Sequence, residues 1–181
     1  MKTIQFASLL FVTVALSACG DRSDPDAAAP GPAAETSQAP TTAATPAAVP
    51  VEALVKNVVA DGVTFQPEAA SIQGDVLAST GATGYMMFGP YVAFVPGVYR
   101  VTVQGTINSL DAGASIKFDA VSAAATSVHG EQVVATADPS SDTIGEFEVT
   151  IPDGVSDLEI RAYVTDGADV QIRSYQITAA D

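Results

Sequence analysis

Apolar and polar positions alternate most regularly from Val98 to Ile107: Tyr99, Val101, Val103 and Ile107 share one side of an extended chain, and Arg100, Thr102, Gln104 and Thr106 share the other. A strand points successive side chains to opposite faces, so this stretch predicts a central strand with one buried side. It is the end of a longer apolar block, Gly84 to Gly105, which Gly89-Pro90 and Pro96-Gly97 break into three pieces. The same period recurs later. Phe147, Val149 and Ile151 oppose Glu146, Glu148 and Thr150, and Leu158, Ile160, Ala162 and Val164 oppose Asp157, Glu159, Arg161 and Tyr163. Each of these strands has one wet face.

No long segment places apolar residues at i, i+3, i+4 and i+7, so helices are not expected. Strands are predicted near Leu54–Val59, Val63–Phe65, Ala70–Ile72 with Asp75–Ala78, Tyr85–Phe88, Tyr91–Phe94, Val98–Ile107, Ser115–Val121, Gln132–Ala135, Gly145–Ile151, Leu158–Thr165 and Val170–Thr178. In the last of these Val170 and Ile172 are out of phase with Tyr175 and Ile177, which predicts a bulge or bend at Arg173-Ser174. Pro152-Asp153-Gly154 is a tight-turn sequence, since Pro presets φ and Gly tolerates positive φ; Asp61-Gly62 and Asp166-Gly167 are hairpin-like on the same grounds. Many short strands with regular turn signals predict an all-β fold, a single antiparallel β-sandwich or barrel.

The N-terminus has a different character. Met1-Lys2 precedes an apolar run from Ile4 to Leu16 and then Ser17-Ala18-Cys19-Gly20. A membrane-spanning helix needs about 20 apolar residues, and this run is shorter, so residues 1–18 are expected to be a cleaved secretory signal peptide rather than part of the fold. Leu16-Ser17-Ala18-Cys19 resembles the bacterial lipoprotein signal, in which small residues precede a cysteine that is acylated and becomes the new N-terminus. Cys19 is the single cysteine of the chain and has no disulfide partner within it. The resemblance implies lipidation at Cys19, a membrane as the partner of that anchor, and a bacterial cell envelope location with the domain outside the cytoplasm. Residues 19–50 then form the lipidated N-terminus and an Ala/Pro/Thr-rich linker. Without aromatic residues it cannot bury enough apolar surface to offset its conformational entropy, and disorder is expected. Some thirty residues of this kind reach roughly 30 to 90 Å, depending on how far they extend.

Val51 to Asp181 remains, a length suited to one hydrophobic core and one domain. The Phe88-Gly-Pro-Tyr91 junction, the Pro96-Gly-Val-Tyr-Arg-Val101 strand and the two late alternating strands resemble the jelly-roll accessory modules of carbohydrate-active proteins. That resemblance implies a jelly-roll-like sandwich and a glycan as ligand. Sugar-binding members usually present Trp; this chain has none, which leaves Tyr to stack on a sugar ring.

Charge and composition narrow the chemistry. With 7 Lys and Arg against 21 Asp and Glu the formal net charge is −14, and the few cations of the domain are scattered, so nucleic acid is not an expected partner. His129 is the one histidine. A triad would have to use it, yet no serine sits in a Gly-x-Ser-x-Gly elbow, and it reads as a solvated loop residue. Glu146 and Glu148, at i and i+2, lie about 6.5–7 Å apart along a strand, within the range of a carboxylate pair in a glycosidase, but alternating charge on a wet face explains them. Asp138-Pro-Ser-Ser-Asp142 and Asp166-Gly-Ala-Asp169 are oxygen-rich enough to suggest structural calcium; both read better as turns, and no metal or cofactor is expected.

Tyr99 falls on the buried face, Met86 and Met87 are expected to pack in the core, and Tyr91 and Tyr163 are the tyrosines the pattern leaves outside it, hence the expected ligand contacts. The sequence therefore predicts a lipid-anchored, non-catalytic binding module with glycan as the preferred ligand class. The alternative is a structural or assembly lipoprotein working through contacts with an envelope protein.

Overall fold

The computed structural model describes residues 51–180; the expected signal peptide, Cys19 and the expected linker lie outside them. Among the described residues eleven strands form, and they are antiparallel throughout. In order they are β1 (Leu54–Asn57), β2 (Ala70–Gln73), β3 (Val76–Ser79), β4 (Gly84–Met87), β5 (Pro90–Val92), β6 (Gly97–Leu110), β7 (Ile116–Ser122), β8 (Ser127–Val134), β9 (Thr143–Ile151), β10 (Leu158–Val164) and β11 (Ala168–Ala179). A six-stranded sheet runs β2-β3-β11-β6-β9, with β1 also on β11. A five-stranded sheet runs β4-β10-β7-β8, with β5 also on β10. From β6 to β11 the chain crosses repeatedly between the sheets, and the order β3-β11-β6-β9 facing β4-β10-β7-β8 is that of a jelly roll. The fold is an all-β sandwich, as the alternation predicted.

The inner faces are the ones the alternation selected. Tyr99, Val101, Val103 and Ile107 of β6 lie beside Phe147, Val149 and Ile151 of β9 and Val170, Ile172, Tyr175 and Ile177 of β11. Met86, Met87, Ile116, Phe118 and alternate residues of β10 from Leu158 to Val164 complete the core from the other sheet. Burying a side chain of this size contributes about 1.5–3 kcal/mol, which makes this interior the main support of the fold. Tyr99 meets Phe94 edge-on at 5.3 Å and donates its hydroxyl proton to the Val95 carbonyl (2.7 Å), so its polar end is satisfied. The predicted irregularity in the last strand is present: the β11–β6 register shifts between Ile172 and Ser174, bringing Tyr175 and Ile177 back to the inner face.

Several expectations fail, each for a local reason. Val63–Phe65 forms no strand, only the bridge Thr64 to Phe88, because the chain turns at once through Gln66, whose carbonyl accepts from the amides of Ala69 and Ala70. The first strand stops at Asn57, whose side-chain oxygen accepts from the amides of Val59 and Ala60. The tight turn at Pro152–Gly154 is present as expected; Asp166-Gly167 also turns the chain but passes it to the opposite sheet instead of closing a hairpin, since a turn sequence fixes a local reversal and not the strand's partner. The strand expected at Gln132–Ala135 begins five residues earlier. Val128 and Val133 face solvent there and Gly130 interrupts the pattern, so β8 has no apolar face to betray it. His129 is thus a half-buried strand residue and not a loop residue.

Two close approaches set the spacing of the sheets. A Cβ on Gly145 would meet the Phe118 ring at 2.6 Å, and one on Gly130 would meet the Glu148 carbonyl oxygen at 2.2 Å. At Gly130 the obstacle is backbone, which cannot rotate away. Gly130→Ala should therefore destabilise the protein by about 1–3 kcal/mol, measured by denaturant unfolding, whereas Ala at Gly154, where nothing lies within 4 Å, should cost only the smaller penalty of its positive φ.

Candidate functional site

The outer face of the six-stranded sheet carries Arg100, Gln104, Glu146 and Glu148, an ordinary wet surface apart from Thr102, which is buried there. The outer face of the five-stranded sheet is different. Register places Tyr85, Tyr163, Lys117 and Val133 in one row across β4, β10, β7 and β8, and Arg161, Asp119 and Glu131 in the next. Glu159 follows on β10, beside the end of β5 that leads to Tyr91.

Asp119 is the anchor of this face. Its side chain is only 4% exposed. The Arg161 guanidinium closes on it with two bonds, Nε to Oδ1 and Nη2 to Oδ2, both 2.8 Å, and Lys117 Nζ approaches Oδ2 at 3.3 Å while also reaching Glu131 at 2.8 Å. A buried carboxylate is tolerable only when paired and hydrogen-bonded in this way. The pairing raises the Arg161 pKa and keeps the guanidinium in place, with its carbon 5.0 Å from the centre of the Tyr85 ring. Tyr85 is held further by Tyr163 edge-on at 5.0 Å and by Phe88 at 6.4 Å, and its backbone amide donates to Gln66 Oε1 at 2.8 Å.

These groups border a groove of about 390 Å³. Arg161 and Glu159 line it from β10, Tyr85, Phe88 and Gln66 from β4 and its surroundings, Tyr91 from β5, and Ala124 and Ala125 from the β7–β8 turn. Tyr91 is 53% exposed and sits at φ 60, a left-handed conformation unusual for an aromatic residue. The turn Ala123-Ala124-Ala125 is left-handed at all three residues, with φ 52, 52 and 65. Non-glycine residues resist that region, and such strain tends to persist at binding sites, where surrounding contacts hold it. Here the Ala123 amide donates to Asp157 Oδ2 (2.9 Å), and the Thr126 hydroxyl donates to the Ala123 carbonyl (2.7 Å).

Glu159 is the unusual residue of the groove. It is 8% exposed, and its hydrogen bond is the Tyr91 hydroxyl donating to Oε1 at 3.3 Å, a long contact. Burial raises its pKa above the ordinary carboxylate value, opposed by the nearby Arg161 charge.

Of the two tyrosines the sequence offered as ligand contacts, Tyr91 lines the groove and Tyr163 stands behind Tyr85, half-buried and bracing it. Tyr85, Arg161 and Glu159 also line the groove and were not foreseen there, although Glu159 and Arg161 share with Tyr163 the face of β10 that the alternation sets outside the core. His129 meets a serine after all: its Nε2 lies 2.7 Å from Ser122 Oγ. Ser122 is buried at 6% exposure, and Asp157, which reaches the same turn, gives its Oδ2 to a backbone amide rather than to the imidazole, so the pair reads as a local brace. Asp138 and Asp166 accept bonds from Ser140 and Thr83, each through backbone and hydroxyl, and both carboxyls are held below their ordinary pKa by these bonds. Among the described residues no three His, Cys, Asp or Glu side chains converge on a metal-binding point.

Comparison with protein-family profiles, with curated proteins and with solved structures finds no match.

A raised carboxylate pKa has a definite effect on stability. Between the unfolded value and the raised folded value the native state binds more protons, so this group's contribution falls as pH rises through that window and stays unfavourable above it. Glu159→Gln keeps an oxygen for the Tyr91 hydroxyl and removes the buried charge. It should raise the thermal midpoint at pH 7, and the gain over the wild type should shrink as the pH is lowered through the carboxylate range, followed by calorimetry.

Proposed function

We propose that this chain is a bacterial envelope lipoprotein, anchored through Cys19, whose sandwich is a non-catalytic module that binds glycan in the groove between Tyr85 and Tyr91. The observation that supports it best is the composition of that groove: aromatic walls beside a buried carboxylate and a fixed guanidinium. Tyr rings offer flat apolar surfaces to the C–H faces of a sugar ring, and a few placed polar groups set its orientation. The overall acidity disfavours polyanions and leaves neutral and cationic glycans as the ligand class. The second reading, assembly through an envelope protein, draws on Val128 and Val133, 56% and 61% exposed on the same edge strand.

Titration calorimetry of the full chain against neutral and cationic polysaccharides tests the glycan reading. Tyr91→Ala should weaken binding about tenfold or more and leave the thermal midpoint nearly unchanged, since the ring is largely exposed. Tyr99→Ala should cost about 3–5 kcal/mol of folding stability, because that ring is 4% exposed in the core. Absence of binding across the panel would turn the choice to the protein-contact reading. The anchor has its own test: the mature protein should begin at a diacylated or triacylated Cys19 by mass spectrometry, and Cys19→Ala should release the protein from membranes or leave it unprocessed.

A further inference from the structure

We infer that Glu159 and Arg161 act as a pair that reads sugar hydroxyls, admitting a neutral ring to the groove and turning away uronic acids and protonated amino sugars; this rests on the glycan reading above and narrows its neutral and cationic ligand class to the neutral members.

The two residues sit at i and i+2 on one face of β10, about 6.6 Å apart along the strand, and both line the groove. They do not bridge to each other: Arg161 commits Nε and Nη2 to Asp119. A guanidinium has five N–H donors, so Nη1 and one Nη2 hydrogen remain for a ligand. A carboxylate has about four lone-pair directions, and Glu159 has one long bond from Tyr91, so acceptor capacity remains at the groove as well. The site therefore offers donors and acceptors side by side, already desolvated.

A sugar hydroxyl satisfies both because it donates and accepts. One hydroxyl, or two on adjacent carbons, can give a proton to Glu159 and take one from Arg161 while the ring rests on Tyr91. A uronate puts a carboxylate in place of one hydroxyl group; set against this pair, that carboxylate has no proton to give and brings a second anion beside Glu159. Arg161 compensates only in part, since Nε and Nη2 are committed to Asp119 and its remaining charge already acts on Glu159. A protonated amine has the opposite failing: it donates to Glu159 but cannot accept from Arg161 and meets a like charge there. Leaving a buried polar group unpaired is the strongest form of rejection available to a site of this kind.

The experiment uses the full chain and oligomers of equal length built from glucose or galactose, from the corresponding uronic acid, and from glucosamine. Calorimetry at pH 7 should show the neutral oligomer bound at least about tenfold more tightly than either charged one. Glu159→Gln should weaken neutral-sugar binding about tenfold and narrow the discrimination against the uronate, while its thermal midpoint stays at or above that of the wild type, which excludes misfolding as the cause. Equal or tighter binding of the uronate or the amino sugar by the wild type, or an unchanged profile in Glu159→Gln, overturns this inference and leaves the glycan reading standing. No binding of any of the oligomers overturns both.

Discussion

Asp119 lies out of solvent on the face of a sheet that should be wet, and the arrangement of that face follows from how its charge is met. Arg161 closes a two-point bond on it from the neighbouring strand, and Lys117 adds a third contact from its own. Removing one partner of such a group leaves an uncompensated buried charge, a loss of about 3–5 kcal/mol, so the three residues hold each other's positions. The guanidinium so fixed supports the Tyr85 ring, Tyr163 braces Tyr85 from behind, and Tyr85 and Phe88 make one wall of the groove. The fold supplies the platform and this ion pair shapes part of it into a groove.

Glu159 illustrates the opposite bargain. Its neighbours on β10, Leu158 and Ile160, are fully buried hydrophobes, and the register of the strand leaves Glu159 beneath Tyr91 with little water. A sequence selected for stability alone would place a neutral residue there. A carboxylate kept desolvated and loosely bonded lowers the stability of the free protein and is poised to accept a proton donor from outside. In the proposed reading, stability and binding pull on the same side chain in opposite directions.

The core was legible because it obeys one rule: β6, β9 and β10 alternate, and every inward residue the alternation chose is buried. The shift in β11 could be read from the same rule, as a break in phase. What could not be read depends on which strands become neighbours. Asp119 and Arg161 are separated by more than forty positions, and no local pattern shows that β7 and β10 will lie side by side. Tyr85 looked like one more aromatic in an apolar run, and its outward direction appears only once β4 is set against β10. The β8 strand was half hidden because its partner, not its own composition, makes it a strand. The left-handed alanine turn has no sequence signal at all, since alanine is a poor candidate for positive φ.

Where β8 comes close to β9, the margins of the two sheets lie against each other: Gly130 admits the Glu148 carbonyl, and the Gln132 side chain accepts the Glu146 amide at 2.8 Å. That bond occupies a backbone donor which would otherwise invite a foreign strand. On the far margin β2 is four residues long, too short to template much pairing. Unpaired strand margins are how β-rich domains begin to polymerise. With one margin folded inward and the other shortened, the sandwich leaves a second copy little backbone on which to start a fibre.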